Sequence, residues 1–109
     1  MPAYAVAHMR QVTMGPPIVE YLERIDATLA PFGGRFLVHG GQVEVVEGTW
    51  PGHPIVIEFP DRARADAWYR SAGYQAIVDL RTDNSRSDVV IAEGVGGDHR
   101  ATDVLGARA

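Results

Sequence analysis

An α+β domain is the fold class this sequence predicts, and three observations carry it. Segments running from Ile18 and from Asp61 place apolar residues at three- and four-residue steps, the spacing of a helix with one buried stripe. Segments opening at Ala3, Arg35, Ile55 and Ser87 are short, alternating or rich in valine and isoleucine, as strands are. The two kinds follow one another as β-α-β-β-α-β. With 109 residues, 46% of them hydrophobic, the chain suits one folded domain rather than a disordered segment.

The first strand is "AYAVAHMR", Ala3 to Arg10. Alternation puts Tyr4, Val6, His8 and Arg10 on one face and Ala5, Ala7 and Met9 on the other. Gly15-Pro16-Pro17 turns the chain, and Pro17 suits a first helical turn because its missing N–H is not needed there. Ile18, Leu22, Ile25, Leu29 and Phe32 then form the predicted stripe. Pro31 and Gly33 end that helix. "RFLVHG" is the second strand, with Arg35, Leu37 and His39 facing one way and Phe36 and Val38 the other. Gln42 to Gly48 is expected to continue extended beyond a bend at Gly40-Gly41. Residues 49–54 are turn chemistry, and Ile55 to Phe59 returns as an antiparallel strand.

Asp61 is the expected N-cap of the second helix, which carries Ala65, Trp68, Tyr69 and Ala72. Gly73 is expected to break it, with a further short turn or two from Tyr74 to Leu80. Ser87 to Glu93 is the last strand. This order is the ferredoxin-like arrangement, with helices on one face of an antiparallel sheet. Residues 1–94 form the domain, and the glycine-rich residues 95–109 read as a flexible tail. The uncovered face is expected to hold Val6, His8, Leu37, His39, Val56 and Val90, too apolar to stay wet. Two sheets packed face to face, as a homodimer, would cover it.

Composition excludes several functions. A net charge of −4 with no basic stripe gives no support to a nucleic-acid partner. No cysteine is present, so disulfides, thiolate catalysis and cysteine-bound metals are ruled out. No apolar run approaches a membrane span, and the opening residues lack secretory-signal character, so a cytoplasmic location with no membrane partner is the expectation. His8, His39, His53 and His99 show no metal-ligand spacing, and neither metal nor cofactor is expected. Gly33-Gly34 follows a helix and precedes a strand, the reverse of a phosphate-binding loop.

The segments "GGRFLVHGG", "VEVVEGTWP" and "IVIEFPDRARADAWYRSAGYQAI", with the opening "AYAVAHMR", resemble the family known as domain of unknown function 1330. The resemblance runs from about Tyr4 to Gly94. It implies a ferredoxin-like fold that dimerises into an α/β barrel, with distant kinship to the antibiotic-biosynthesis monooxygenase type. It supplies no reaction. The family more often has an arginine where His39 stands and an acidic residue where Gly73 stands; Pro31 is a milder difference.

The candidate catalytic residues are His8, Arg35 and His39, on the face a second subunit would cover. Arg35 could hold an oxyanion while a histidine moves a proton. A charge-balancing or binding role falls to Glu58 and Asp88. Trp68, Tyr69 and Tyr74 could line the pocket, Trp68 as core and the tyrosines as rim. Trp50 in the turn could anchor the dimer. Two functions stay open. One is an enzyme doing cofactor-independent acid–base or oxygen chemistry on a small molecule, in a cavity between sheet and helices or inside the barrel. The other is a non-catalytic dimeric binding or interaction module with a structural Arg/His/carboxylate network.

Overall fold

The computed structural model describes residues 1–106. Four strands form one antiparallel sheet: β1 (Ala3–Val12), β2 (Arg35–His39), β3 (His53–Phe59) and β4 (Ser85–Glu93). Their spatial order is β2-β3-β1-β4, the ferredoxin-like order, with β1 at the centre between β3 and β4. Helices α1 (Pro16–Leu29), α2 (Arg62–Arg70), α3 (Ala72–Gln75) and α4 (Val78–Thr82) follow the chain. They cover one face of the sheet, where Ala3, Ala5, Ile57 and Phe59 pack against Ile25, Leu29, Ala65 and Trp68. Among the described residues no helix is long and apolar enough to cross a membrane.

Helix α1 begins on Pro16-Pro17 and passes into a 3₁₀ turn at Ala30–Phe32, which Gly33 closes in the left-handed conformation (φ 70°). Its buried stripe is Ile18, Tyr21, Ile25 and Leu29. Tyr21 takes the place expected of Leu22, which is 42% exposed. A tyrosine can occupy that line because its hydroxyl finds a buried partner. Asp61 caps α2 as expected, accepting from the Arg64 backbone N–H at 2.8 Å. The break after α2 falls at Ser71, not Gly73. Ser71 turns extended (ψ 149°), and its Oγ accepts from the Tyr74 N–H at 3.1 Å, so it caps α3 in turn. Gly73 lies inside α3.

Three further expectations are corrected. Gln42–Gly48 does not extend β2: residues 41–52 form an irregular loop, with Gly40 and Gly41 at positive φ. Tyr74 is core rather than rim, among the largest fully buried side chains. The third correction concerns which way the side chains of β2 face. β2 pairs Arg35 with Glu58 and Phe36 with Ile57, then Val38 with Val56 and His39 with Ile55. The register slips between Phe36 and Val38, so Leu37 is an inserted residue. A one-residue slip reverses every side chain beyond it. Val38 therefore shares the open face with Arg35, and His39 joins Phe36 on the helix side.

Residues 95–106 carry one short exposed helix, α5 (Asp103–Gly106). The remainder of the expected tail, residues 107–109, lies outside the described residues.

Candidate functional site

The sheet divides the candidate residues into two groups. On its open face, Arg35 stands opposite Glu58, and Nη2 lies 2.9 Å from Oε1. The Arg35 side chain is 70% exposed, so this pair contributes little beyond registering the two strands. Arg10 Nε donates to Asp88 at 2.6 Å, and both side chains are more than half exposed. His8 Nε2 donates to the Pro51 carbonyl at 2.7 Å, and its ring stacks on Trp50 at 4.0 Å. His8 and Trp50 thus pin the 41–52 loop over one end of the face. Gly52 permits that approach: at φ 79°, any Cβ there would overlap the Met9 carbonyl oxygen. These contacts engage His8, Arg35, Glu58 and Asp88 with neighbours in the chain.

On the helix side, between sheet and helices, lies a partly enclosed cavity of about 330 Å³. Met9, Ile18, Ile25, Ile55 and Ile57 supply much of its apolar wall. Trp68 and Tyr74 line it as well; Tyr69 does not, and packs edge-on against Trp68 instead. The Trp68 indole N–H is satisfied by Thr28 Oγ1 at 3.0 Å, so this ring offers the cavity an apolar surface.

Polar groups gather at two places on this wall. At the buried place, the Tyr21 and Tyr74 hydroxyls lie 2.7 Å apart, with the Arg81 guanidinium as their charged neighbour. Burial pushes the Tyr21 pKa far up, and Tyr74 adds to that, so Tyr21 stays neutral. Burial opposes the Arg81 charge, but the two tyrosine oxygens favour it and the balance is a raised pKa. Arg81 is 6% exposed, and Nη1 donates to Ser87 Oγ at 2.7 Å. At the exposed place are His39, stacked on Phe36 at 4.3 Å, and the half-buried His53. Among the described residues neither imidazole has a hydrogen-bond partner, in contrast to His8.

The structure therefore brings His39, Trp68 and Tyr74 to one cavity and leaves His8, Arg35, Glu58 and Asp88 on the opposite face. Tyr21, His53 and Arg81 are additions. Tyr21 was readable, since it lies three residues after Ile18 and four before Ile25. Nothing local marks Arg81 as buried, and His53 lay in a segment dominated by turn residues. Among the described residues no cluster of His, Asp or Glu could hold a metal ion.

Comparison with solved structures returns the same fold in proteins of low sequence identity. A protein of unknown function from Rhodopseudomonas palustris is 18% identical, with 87% of this chain and 83% of that one covered and a TM-score of 0.65. A dimeric ferredoxin-like protein of unknown function from Jannaschia sp. is 16% identical, over 86% of this chain and all of that one (100%), at a TM-score of 0.65. SnoaB from Streptomyces nogalater, a cofactor-independent oxygenase, is 14% identical over 91% and 98% of the two chains, at a TM-score of 0.57. A search of curated proteins finds no match. A family model described as a domain of unknown function (DUF1330) matches residues 2–95.

Proposed function

The chain belongs to the DUF1330 family, whose name carries no activity, and from the geometry we propose that it is a homodimeric enzyme acting on a small, largely apolar molecule held in the helix-side cavity of each subunit. The observation that carries this reading is the meeting of a partly enclosed apolar space of about 330 Å³ with two imidazoles that have no hydrogen-bond partner among the described residues. That volume lies at the small end of ligand pockets. A histidine without a partner at the cavity wall is free to take a proton from a bound molecule or return one. His39 and His53 are the proposed acid–base residues. Tyr21 and Tyr74 offer a neutral donor at the buried place. Trp68 provides a flat apolar wall for a ring.

The reaction class is proton transfer without a resident cofactor, and the oxygenase among the structures of the same fold supports cofactor-independent chemistry as an analogy. Homodimerisation is supported by the dimeric ferredoxin-like protein of the same fold and by the exposed valines of the open face. In this reading Arg35–Glu58 and Arg10–Asp88 organise that face, and the catalytic part expected of His8 and Arg35 passes to the helix side.

Native mass spectrometry of the protein purified from its own host tests the site. The expected result is a retained small molecule that survives His8→Ala and is lost on Ala7→Phe, which grows a ring into the cavity from β1. A molecule retained by Ala7→Phe at unchanged occupancy would place the ligand elsewhere and overturn the reading.

A further inference from the structure

Arg81 is a buried cation with no carboxylate beside it among the described residues. Most of the other arginines in the described residues reach a carboxylate within 4 Å: Arg10, Arg24, Arg35, Arg62, Arg64 and Arg70, all on the surface. Arg81 reaches none, although it is the sole charged side chain among the buried ones described. Its partners are the Ser87 hydroxyl and the hydroxyls of Tyr21 and Tyr74, none of them a carboxylate. A buried ion without an opposite charge is strongly disfavoured, and proteins keep one where something else supplies that charge. Arg81 also lines the cavity, so a ligand can reach it.

We propose that the cavity selects a carboxylate: an apolar or aromatic acid whose anionic head sits against Arg81, Tyr21 and Tyr74 and whose body lies along the aliphatic wall. The inference rests on the cavity being a ligand site. The hydroxyl pair suits an acceptor-only group. Within the Tyr21–Tyr74 contact, one phenol donates to the other, which leaves one O–H proton to give away. An anionic oxygen accepts hydrogen bonds from that O–H and a guanidinium N–H together. Ser85 and Ser87 fasten the arginine from behind: Ser85 Oγ donates to the Arg81 carbonyl at 2.7 Å and lies 3.2 Å from Ser87 Oγ. The head is thereby held at the buried place, and the far end of the ligand points towards His39 and His53.

Calorimetric titration of the full-length protein with 2-naphthoate and with its uncharged counterpart 2-naphthamide tests this. The wild-type protein is expected to bind the carboxylate at least about tenfold more tightly, as hydrogen bonds to a charged group warrant. Arg81→Met is expected to bring the two affinities within about twofold of each other. Equal binding of acid and amide by the wild type overturns the inference and leaves the cavity standing as a ligand site. Failure of both probes to bind overturns it too, and the retained-ligand experiment then judges the broader reading separately. The wild-type comparison needs no variant to fold.

Discussion

Tyr21 shows how one side chain can couple the core to the cavity. Its ring belongs to the buried stripe of α1, and its hydroxyl meets Tyr74 beside Arg81. Burial raises its pKa above the ordinary tyrosine value. The sign of the consequence follows from linkage. Below the ordinary pKa of about 10 both folded and unfolded chains keep this proton, and the contribution to stability is whole. Above it the unfolded chain releases the proton while the folded chain holds it, so stability falls as pH rises. Urea midpoints measured from pH 9 to 11 should therefore decline for the wild type, and Tyr21→Phe should flatten that decline. His39 makes a related point. Its identity was visible in the sequence, but its role depends on which face it occupies, and a single inserted residue two positions earlier reverses that face.

At the scale of elements, caps and turns follow rules that act over a few residues. Asp61 and Ser71 each accept from a backbone N–H three positions on, and each starts a helix. Asp61→Ala should cost about 1 kcal/mol, the usual loss for such a cap. Gly52 should be far less tolerant, because its conformation and its approach to Met9 both exclude a side chain. Chemical denaturation of Gly52→Ala should show a loss of about 2 kcal/mol or more; a loss no greater than that of Asp61→Ala would mean the loop can move off β1 without consequence. The bulge in β2 belongs to this scale too. No residue in "RFLVH" marks Leu37 as the extra one. The slip is specified by two partnerships, Phe36 with Ile57 and Val38 with Val56, that satisfy both faces of β3 at once.

For the whole molecule, the unpartnered face of the sheet is the dominant feature. Val38 and Val90 are exposed there, Val90 at 57%, with Val6 and Val56 half-buried beside them. Antiparallel sheets tolerate one wet face when it is polar, and the valine cluster within this one is not. Light scattering behind a sizing column should give twice the chain mass for the wild type. Val90→Lys should give the monomer mass, because it sets a charge into the centre of the proposed interface. A dimer undiminished by that substitution would move the interface to another surface. Arg35→Ala should weaken the dimer and leave carboxylate binding unchanged.

The sequence by itself determined the element order, the ends of α1, the cap of α2, the helix-covered face of β1 and the likeness to a family. Those features rest on local chemistry: a proline without an N–H, a carboxylate three residues before an amide, an alternation with period two. Tertiary structure alone decided that His39 turns towards the helices, that Tyr74 is core, and that Arg81 lines a cavity with, among the described residues, no carboxylate beside it. Each of these depends on what lies across a strand or a layer, and strand register and burial are settled by partners distant in the chain. His39 accordingly moved from the open face of the sheet to the helix side while the fold that carries it stayed as expected.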